Sequence, residues 1–333
     1  MATLALGIIT FLNAGCRQEI TWLPDSRRIA YLRDSAVWIV TIDGKTGRIF
    51  EIPVADDDYR YLVAAPVGNR LALQTQIKDE GRSSLTILTD SGKVSWTITL
   101  EGAEREAPRW SKSGGLLLAA PKEASGSLVI DLSANILHRI DIHAKQILLS
   151  DDGNLLAYQV DDAHKARLDV YQLDGTKVRS EPWPALPAID NPETFWIEND
   201  ENNLWIFDKT KVAEDKEGND PDPRKISVVR LARKEGTAVR VTGQEAIDYI
   251  KSISDEKTIQ IAGQTVDLES MCSRMKGLDT RKEKEAKAND SDSCKGPDAI
   301  IVSPDGKSGA KKGKHGIYLG DLATGQVKVL VTW

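Results

Sequence analysis

The sequence predicts an all-β protein, a β-propeller built from four-stranded antiparallel blades. Short apolar and β-branched runs alternate with turns containing Asp, Gly or Pro along almost the whole chain. One kind of turn returns seven times, at intervals of roughly 40 to 55 residues, which is the period of four-stranded blades. The 333 residues are 41% hydrophobic and 28% charged, a composition typical of a chain that folds around its own core.

The first repeat shows the order of elements within a blade. Residues 20–31 have the pattern of a short strand, a polar turn and a second strand. Residues 38–47 add a third strand and a Gly-bearing turn, and residues 48–52 add a fourth strand. Four further repeats with this order cover residues 62–98, 109–140, 147–175 and 195–241. The last of these is interrupted by a polar insertion at about residues 211–225.

Two incomplete repeats complete the chain. Residues 249–262 predict a hairpin without clear outer strands, and residues 300–331 have a hydrophilic second strand, Ser308-Gly-Ala-Lys-Lys. The turns predict seven blades when they are counted one by one. The alternative is six blades, in which these two fragments form one blade divided by a polar insertion at about 264–297. Helix is expected mainly within that insertion.

The turn elements carry a resemblance to a known family. They include Leu23-Pro-Asp-Ser, Ser150-Asp-Asp-Gly and Ser303-Pro-Asp-Gly. Asp suits such turns because it accepts hydrogen bonds from the backbone that follows it, and Gly accepts positive φ. These elements resemble the Ser-Pro-Asp-Gly-Lys signature of TolB-type and WD-like bacterial propellers, over nearly all of residues 20–333. The resemblance implies an architecture, typically of six blades, and no particular activity. We expect residues 16–333 to form a single propeller domain.

The N-terminus predicts export. Residues 3–12 are almost uninterruptedly apolar but too few to span a bilayer, and Ala14-Gly15-Cys16 follows them. A short apolar run ending in small residues before a Cys resembles a secretory signal with a lipoprotein cleavage site. We expect residues 1–15 to be a leader and Cys16 to be lipidated, which would make the protein a periplasmic or membrane-anchored lipoprotein. The alternative is a buried strand that belongs to a blade.

The other two cysteines fit the same compartment. Cys272 and Cys294 bracket a stretch rich in Lys, Glu and Asp that could not build its own apolar core. A disulfide between them would contribute roughly 3 kcal/mol and would require an oxidising environment. The alternative is two unpaired thiols. Neither Cys has a second Cys or a His at the spacing of a metal site.

Composition and motifs argue against several functions. The formal charge of -6 leaves no basic excess for a nucleic acid or an anionic membrane, so membrane contact is expected only through Cys16. The sequence contains no Gly-x-Ser-x-Gly, phosphate loop or His-Glu-x-x-His, and no cofactor is expected. Asp215, Asp220 and Asp222 share a Gly-containing loop that could offer oxygen ligands to Ca²⁺. Their spacing does not follow an EF-hand, and a solvated loop is the alternative.

Two classes of function therefore stay open. The first is a non-catalytic module of the cell envelope that presents one face or the funnel of the ring to a protein partner. The second is a saccharide-directed lyase or hydrolase with its site in the central funnel. Binding is favoured because no excess of His, Arg and carboxylate side chains marks a shared site. We expect the Trp residues, among them Trp22, Trp38, Trp110, Trp196 and Trp205, to pack between blades.

Overall fold

The computed structural model of the chain describes residues 19–53, 60–77, 82–101, 107–119, 127–140, 142, 146–149, 155–160, 166–182, 195–199, 203–208, 227–232, 238–242, 245–246, 258–261, 264–279 and 300–333. These residues form 26 strands and the helix α1, Leu268–Asp279. Residues 245 and 246 are also helical. Strands therefore dominate the described residues, and α1 lies within the stretch where helix was expected.

Six sheets of the described residues have four strands each, and every strand pairs with its neighbour in sequence. The first sheet contains β1 (Ile20–Trp22), β2 (Arg28–Arg33), β3 (Ala36–Thr41) and β4 (Thr46–Glu51). The second contains β5 (Arg60–Ala64), β6 (Arg70–Ile77), β7 (Arg82–Thr89) and β8 (Val94–Glu101). The third contains β9 (Arg109–Trp110), β10 (Leu116–Ala119), β11 (Ser127–Asp131) and β12 (Ile136–Ile140).

The remaining sheets continue this order. The fourth contains β13 (Gln146–Leu149), β14 (Leu155–Val160), β15 (Ala166–Tyr171) and β16 (Lys177–Pro182). The fifth contains β17 (Phe195–Asn199), β18 (Asn203–Asp208), β19 (Ser227–Ala232) and β20 (Ala238–Thr242). A two-stranded sheet follows, of β21 (Thr258–Ile261) and β22 (Gln264–Asp267). The last sheet contains β23 (Ile301–Val302), β24 (Ser308–Lys312), β25 (Gly316–Asp321) and β26 (Val327–Thr332). The predicted architecture of four-stranded antiparallel sheets is confirmed.

The number of blades stays a prediction, because the described residues do not decide between six and seven. They give six four-stranded sheets and, near the sixth repeat, only the hairpin β21–β22. The hydrophilic segment 308–312 is a regular inner strand of the last sheet, so that sheet is complete without help from the preceding repeat. Residues 247–257, which hold the rest of the predicted sixth hairpin, lie outside the described residues.

The chain divides into two compact units. One unit contains Met1–Lys122, Leu128–Leu137 and Glu256–Trp333, and thus the first, second and last sheets, the hairpin β21–β22 and α1. The other contains Glu123–Ser127 and His138–Asp255, and thus the fourth and fifth sheets. The third sheet has strands in both.

The recurring turn between the first two strands of a sheet has one hydrogen-bond pattern. The backbone N–H of the residue after the first strand donates to the carbonyl oxygen five residues later. The four bonds are Leu23 to Arg28, Ala65 to Arg70 and Ser111 to Leu116, each 2.9 Å, and Ser303 to Ser308, 2.8 Å. The Asp side chains act as expected, because Asp25 Oδ1 accepts the N–H groups of Arg27 and Arg28.

The helix α1 packs on the last sheet through an apolar face. Met271, Cys272 and Met275 are fully buried there and contact a core that includes Tyr318 and Leu322. A Cβ on Gly320 of β25 would lie 2.5 Å from the Met271 sulfur, so the absent side chain makes room for the helix. The beginning of the predicted polar insertion, residues 264–279, is therefore ordered structure with its own apolar contacts.

Candidate functional site

Most site residues predicted from the sequence lie outside the described residues. These are the lipidation site Cys16 with its leader 1–15, the calcium candidates Asp215, Asp220 and Asp222, and Cys294. Cys272 is described and lies on α1, but its pairing with Cys294 stays a prediction. Within the described ranges, no three His, Cys, Asp or Glu side chains come together as a metal site would require.

Side chains on the first strands of the sheets link neighbouring sheets of the first unit. Trp22 Nε1 donates to the carbonyl oxygen of Ile301 at 3.0 Å, and Trp110 Nε1 donates to that of Val63 at 3.2 Å. The N–H of Ala64 donates to Thr21 Oγ1 at 3.3 Å. The bonds hold β23 against β1, β1 against β5 and β5 against β9. Trp22, Trp38 and Trp110 pack between sheets as expected, whereas the side chains of Trp196 and Trp205 lie outside the described residues.

A group of side chains lies where the first and last sheets meet, and we call Tyr31, Arg33, Trp38 and Trp333 the aromatic–arginine cluster. Tyr31 is buried, and the other three are partly exposed. A two-residue turn, with φ of 49° at Asp34 and 55° at Ser35, joins β2 to β3. Positive φ at both turn positions suits the twist of a tight hairpin. This turn brings Arg33 at the end of β2 close to Trp38 on β3, and Trp38 Nε1 donates to the Arg33 carbonyl oxygen at 3.2 Å.

Trp333 comes to the cluster from the last sheet. Its N–H donates to the carbonyl oxygen of His315 at 3.1 Å, and its Nε1 donates to that of Lys314 at 2.9 Å. The indole stacks on Tyr31 with ring centroids 5.6 Å apart and an interplanar angle of 12°. An ion pair between Glu19 and Lys312 joins the same two sheets. Because the indole is bonded at one edge and stacked on one face, its position is well defined.

The Arg33 guanidinium lies close to two aromatic rings. Its Cζ lies 5.8 Å from the Trp38 ring centroid and 5.1 Å from that of Trp333, both within the range of cation–π attraction. Its Nε lies 2.8 Å from Oδ2 of Asp34, whose side chain is 70% exposed. Among the residues that the structure describes, none accepts a hydrogen bond from either Nη atom of Arg33. The guanidinium thus presents a fixed, planar pair of donors, a geometry suited to a carboxylate or phosphate.

Burial keeps the phenol of Tyr31 neutral. Burial raises the pKa of Tyr31 above its ordinary value, the Arg33 charge opposes this rise, and the Asp34 charge adds to it. The phenol is therefore protonated at neutral pH, and Arg33 carries the positive charge of the cluster. The cluster can hold an anion by charge and hydrogen bonds and can cover apolar groups with its rings.

Sequence reasoning did not find this site. Its residues come from positions 31–38 and from position 333, and no local pattern indicates that Trp333 lies against Tyr31. The one local signal is the short hairpin at Asp34 and Ser35, which places Arg33 beside an aromatic residue of the next strand.

Comparison with known proteins gives similarity of structure but not of sequence. No family model and no curated protein matches the chain. Hydrazine synthase from Kuenenia stuttgartiensis is similar in structure, with 15% identity, 97% of this chain and 98% of that chain covered, and a TM-score of 0.47. The tricorn protease has 11% identity over 96% of this chain and 36% of that chain, with a TM-score of 0.47. An oligogalacturonate lyase in complex with manganese has 12% identity over 91% and 76%, with a TM-score of 0.45. These neighbours have propeller-type folds, and membership of the TolB-type family stays a prediction.

Proposed function

We propose that the protein is a non-catalytic binding module of the cell envelope, and that a protein partner binds at the aromatic–arginine cluster. Arg33 carries the proposal, because its Nη donors have no acceptor among the described residues while two indoles hold the guanidinium in place. Trp, Tyr and Arg are the residue types that most often dominate the binding energy of protein interfaces. A side chain that is already ordered loses little conformational entropy on binding.

The chemistry of Arg33 favours an acidic group on the partner. The Nε atom of Arg33 is buried beside Asp34, which leaves the edge formed by the two Nη atoms for an incoming carboxylate. A carboxylate at that edge would lie beside the rings of Trp38 and Trp333, which could cover apolar atoms next to it. We therefore propose an Asp, Glu or chain-terminal carboxylate as the recognised group.

Export is part of the same proposal. Residues 1–15 would be the leader, Cys16 the lipid anchor, and Cys272 with Cys294 a disulfide formed in an oxidising compartment. Within the described residues, no helix has the length and apolarity to cross a membrane. The partner would then be another protein of the cell envelope.

The alternative is a saccharide-directed lyase or hydrolase acting in a central funnel. It would need acidic, basic and charge-stabilising side chains from several sheets around one point. Nothing in the described part of the chain favours it over binding.

Capture from envelope extracts tests the proposal. We would immobilise the wild-type chain and the variants Arg33→Ala and Arg27→Ala, and quantify the proteins that each retains. Arg27 is the matched control, because it is exposed in the turn before β2, at the other end of that strand from Arg33. We expect the Arg33→Ala variant to retain at least about tenfold less partner protein than the wild type, since removing a central anchor weakens binding by roughly 2 kcal/mol. Equal retention by wild type and the Arg33→Ala variant would refute the proposed site.

A further inference from the structure

The outermost strand of the second sheet, β8, differs from the other outer strands of the described sheets. It has eight residues, whereas β4, β16 and β26 have six and β12 and β20 have five. From Val94 to Leu100 it contains no charged residue and no proline. An exposed outer strand of this length offers a continuous edge to which another strand could add.

The other outer strands carry the residues that discourage such addition. Each has at least one Lys or Arg within the strand: Arg48 in β4, Arg139 in β12, Lys177 and Arg179 in β16, Arg240 in β20 and Lys328 in β26. Charges on an edge strand oppose pairing with another chain, because bringing the edge into a sheet buries or juxtaposes them. The strand β8 has no Lys or Arg, and its one charged residue is Glu101 at its last position, which sets this strand apart.

The side chains of β8 have one exposed row. Ser95, Thr97 and Thr99 are exposed, whereas Trp96 and Ile98 are partly buried against the core between the second and third sheets. A β-bulge affects the start of the strand, where Val94 pairs with Leu88. Beyond the bulge, residues 96–101 pair regularly with β7. The described residues add no strand on the other side of β8.

We propose that β8 is a self-association edge, to which β8 of a second copy of this chain adds in antiparallel orientation. Antiparallel pairing of identical strands gives a closed two-fold contact. The register that uses the whole uncharged run is centred on Thr97, so Thr97 faces Thr97 of the second copy and Ser95 faces Thr99. Trp96 then faces Ile98. Pairs of hydroxyl residues and pairs of aromatic with β-branched residues both stabilise neighbouring strands.

A second copy fits this edge because the sequence is nearly symmetrical about Thr97. The exposed row reads Ser, Thr, Thr, and no two like charges meet between Val94 and Leu100 in the centred register. Charge repulsion therefore does not oppose the pairing of β8 with β8 of a second copy.

Charge substitution at the centre of the edge tests this inference. We would measure the mass of the full chain in solution by light scattering and sedimentation over a wide range of concentrations. We expect the wild type to be dimeric, and Thr97→Lys and Thr97→Glu each to be monomeric, because each places like charges opposite one another. An equimolar mixture of the two variants should regain the dimer. Thr46→Lys, at an exposed position of β4, is the control and should leave the dimer intact.

The outcomes separate the inference from loss of folding. The Thr97 variants should keep the circular-dichroism spectrum of the wild type and unfold cooperatively, since the Thr97 side chain is exposed. A monomeric wild type at all concentrations would overturn the inference. A dimer that survives both Thr97 substitutions, or a mixture that fails to reassociate, would also overturn it. None of these results depends on Arg33, so the proposed partner site is tested separately.

Discussion

At the scale of single residues, Arg28 links the turns of two neighbouring sheets. Its Nε lies 2.5 Å from Oδ2 of Asp25, and its Nη1 lies 2.6 Å from Oδ2 of Asp90 in the turn between β7 and β8. Burial opposes ionisation of Asp25, but hydrogen bonds from Arg27 and Arg28 and the Arg28 charge outweigh it, so the pKa of Asp25 lies below its ordinary value. Burial likewise disfavours the Arg28 charge, yet the two carboxylates raise its pKa overall.

The depressed pKa of Asp25 predicts a dependence of stability on acid. A carboxylate with a lowered pKa in the folded state contributes stability above its ordinary pKa, and loses that contribution as the pH falls through the folded-state value. Asp25→Asn should therefore lower the free energy of unfolding near neutral pH and flatten its fall between about pH 5 and pH 2. Chemical denaturation at a series of pH values measures both effects. Parallel curves for the two proteins would contradict the assigned pKa direction.

The roles of individual residues could be predicted only where they are local. The hydrogen bonds of Asp25 and Asp305 to the backbone of the following residues follow from the turn sequence itself. The partners of Arg28 and Arg33 could not be predicted in this way, because Asp90 and Trp333 are distant in the chain. Contacts of this kind depend on how sheets pack, which no short pattern encodes.

At the scale of elements, the turn between β7 and β8 depends on a glycine. Gly92 has φ of +84°, and a Cβ there would lie 1.8 Å from the carbonyl oxygen of Ile49 in β4. Gly68 has the same φ but nothing within 4 Å of a Cβ. A comparison of substitutions at the two glycines therefore separates the cost of backbone strain from the cost of a close contact between sheets.

Substitution to Ala should therefore lower the free energy of unfolding by different amounts at the two glycines. Gly68→Ala should lower the free energy of unfolding by about 1 kcal/mol, the cost of a left-handed conformation for Ala. Gly92→Ala adds a clash with backbone that cannot rotate away, so we expect a loss of about 3 kcal/mol or more. Denaturant titration of both variants provides the comparison. Similar losses would mean that the first and second sheets can move apart at this turn without cost.

Most strands could be predicted from alternation and turn signals, and the exceptions have physical reasons. The strand β24 has a polar sequence, but Ala310 is fully buried between the first and last sheets and Gly309 has its Cβ position close to Ile300 and Met271. The apolar face of α1 could not be predicted, because charged residues surround it in the sequence. Met271, Cys272 and Met275 come together only when this segment is helical.

At the scale of the whole molecule, the two predicted modifications should appear together. We expect protein recovered from the envelope to begin at a lipidated Cys16 and to contain the Cys272–Cys294 disulfide, because both follow from export. Intact mass before and after reduction, with peptide mapping, measures both. Cys294→Ser should lower the free energy of unfolding by about 3 kcal/mol under oxidising conditions and have little effect when reductant is present. Two free thiols in the isolated protein would refute the pairing.

The repeated turns made the sheet architecture predictable, because each four-stranded sheet is a local unit of consecutive strands. The number of blades was not predictable to the same degree. Each strand of the hairpin β21–β22 has only four residues, and its position in a blade depends on packing with distant segments rather than on its own sequence. The repeat pattern therefore predicts the architecture of each sheet better than it predicts the number of blades.

The contact between the first and last sheets has a consequence for how the chain folds. Trp22 and Ile301 are 279 positions apart, and Glu19 and Lys312 are 293 apart. Contacts between such distant segments form slowly, because the loop between them must first be closed. During synthesis, the apolar face formed by Ile20, Trp22, Ile29 and Tyr31 stays uncovered until the last sheet has left the ribosome. The nascent protein therefore exposes this apolar surface for most of its translation, which favours association with other chains until the last sheet covers it.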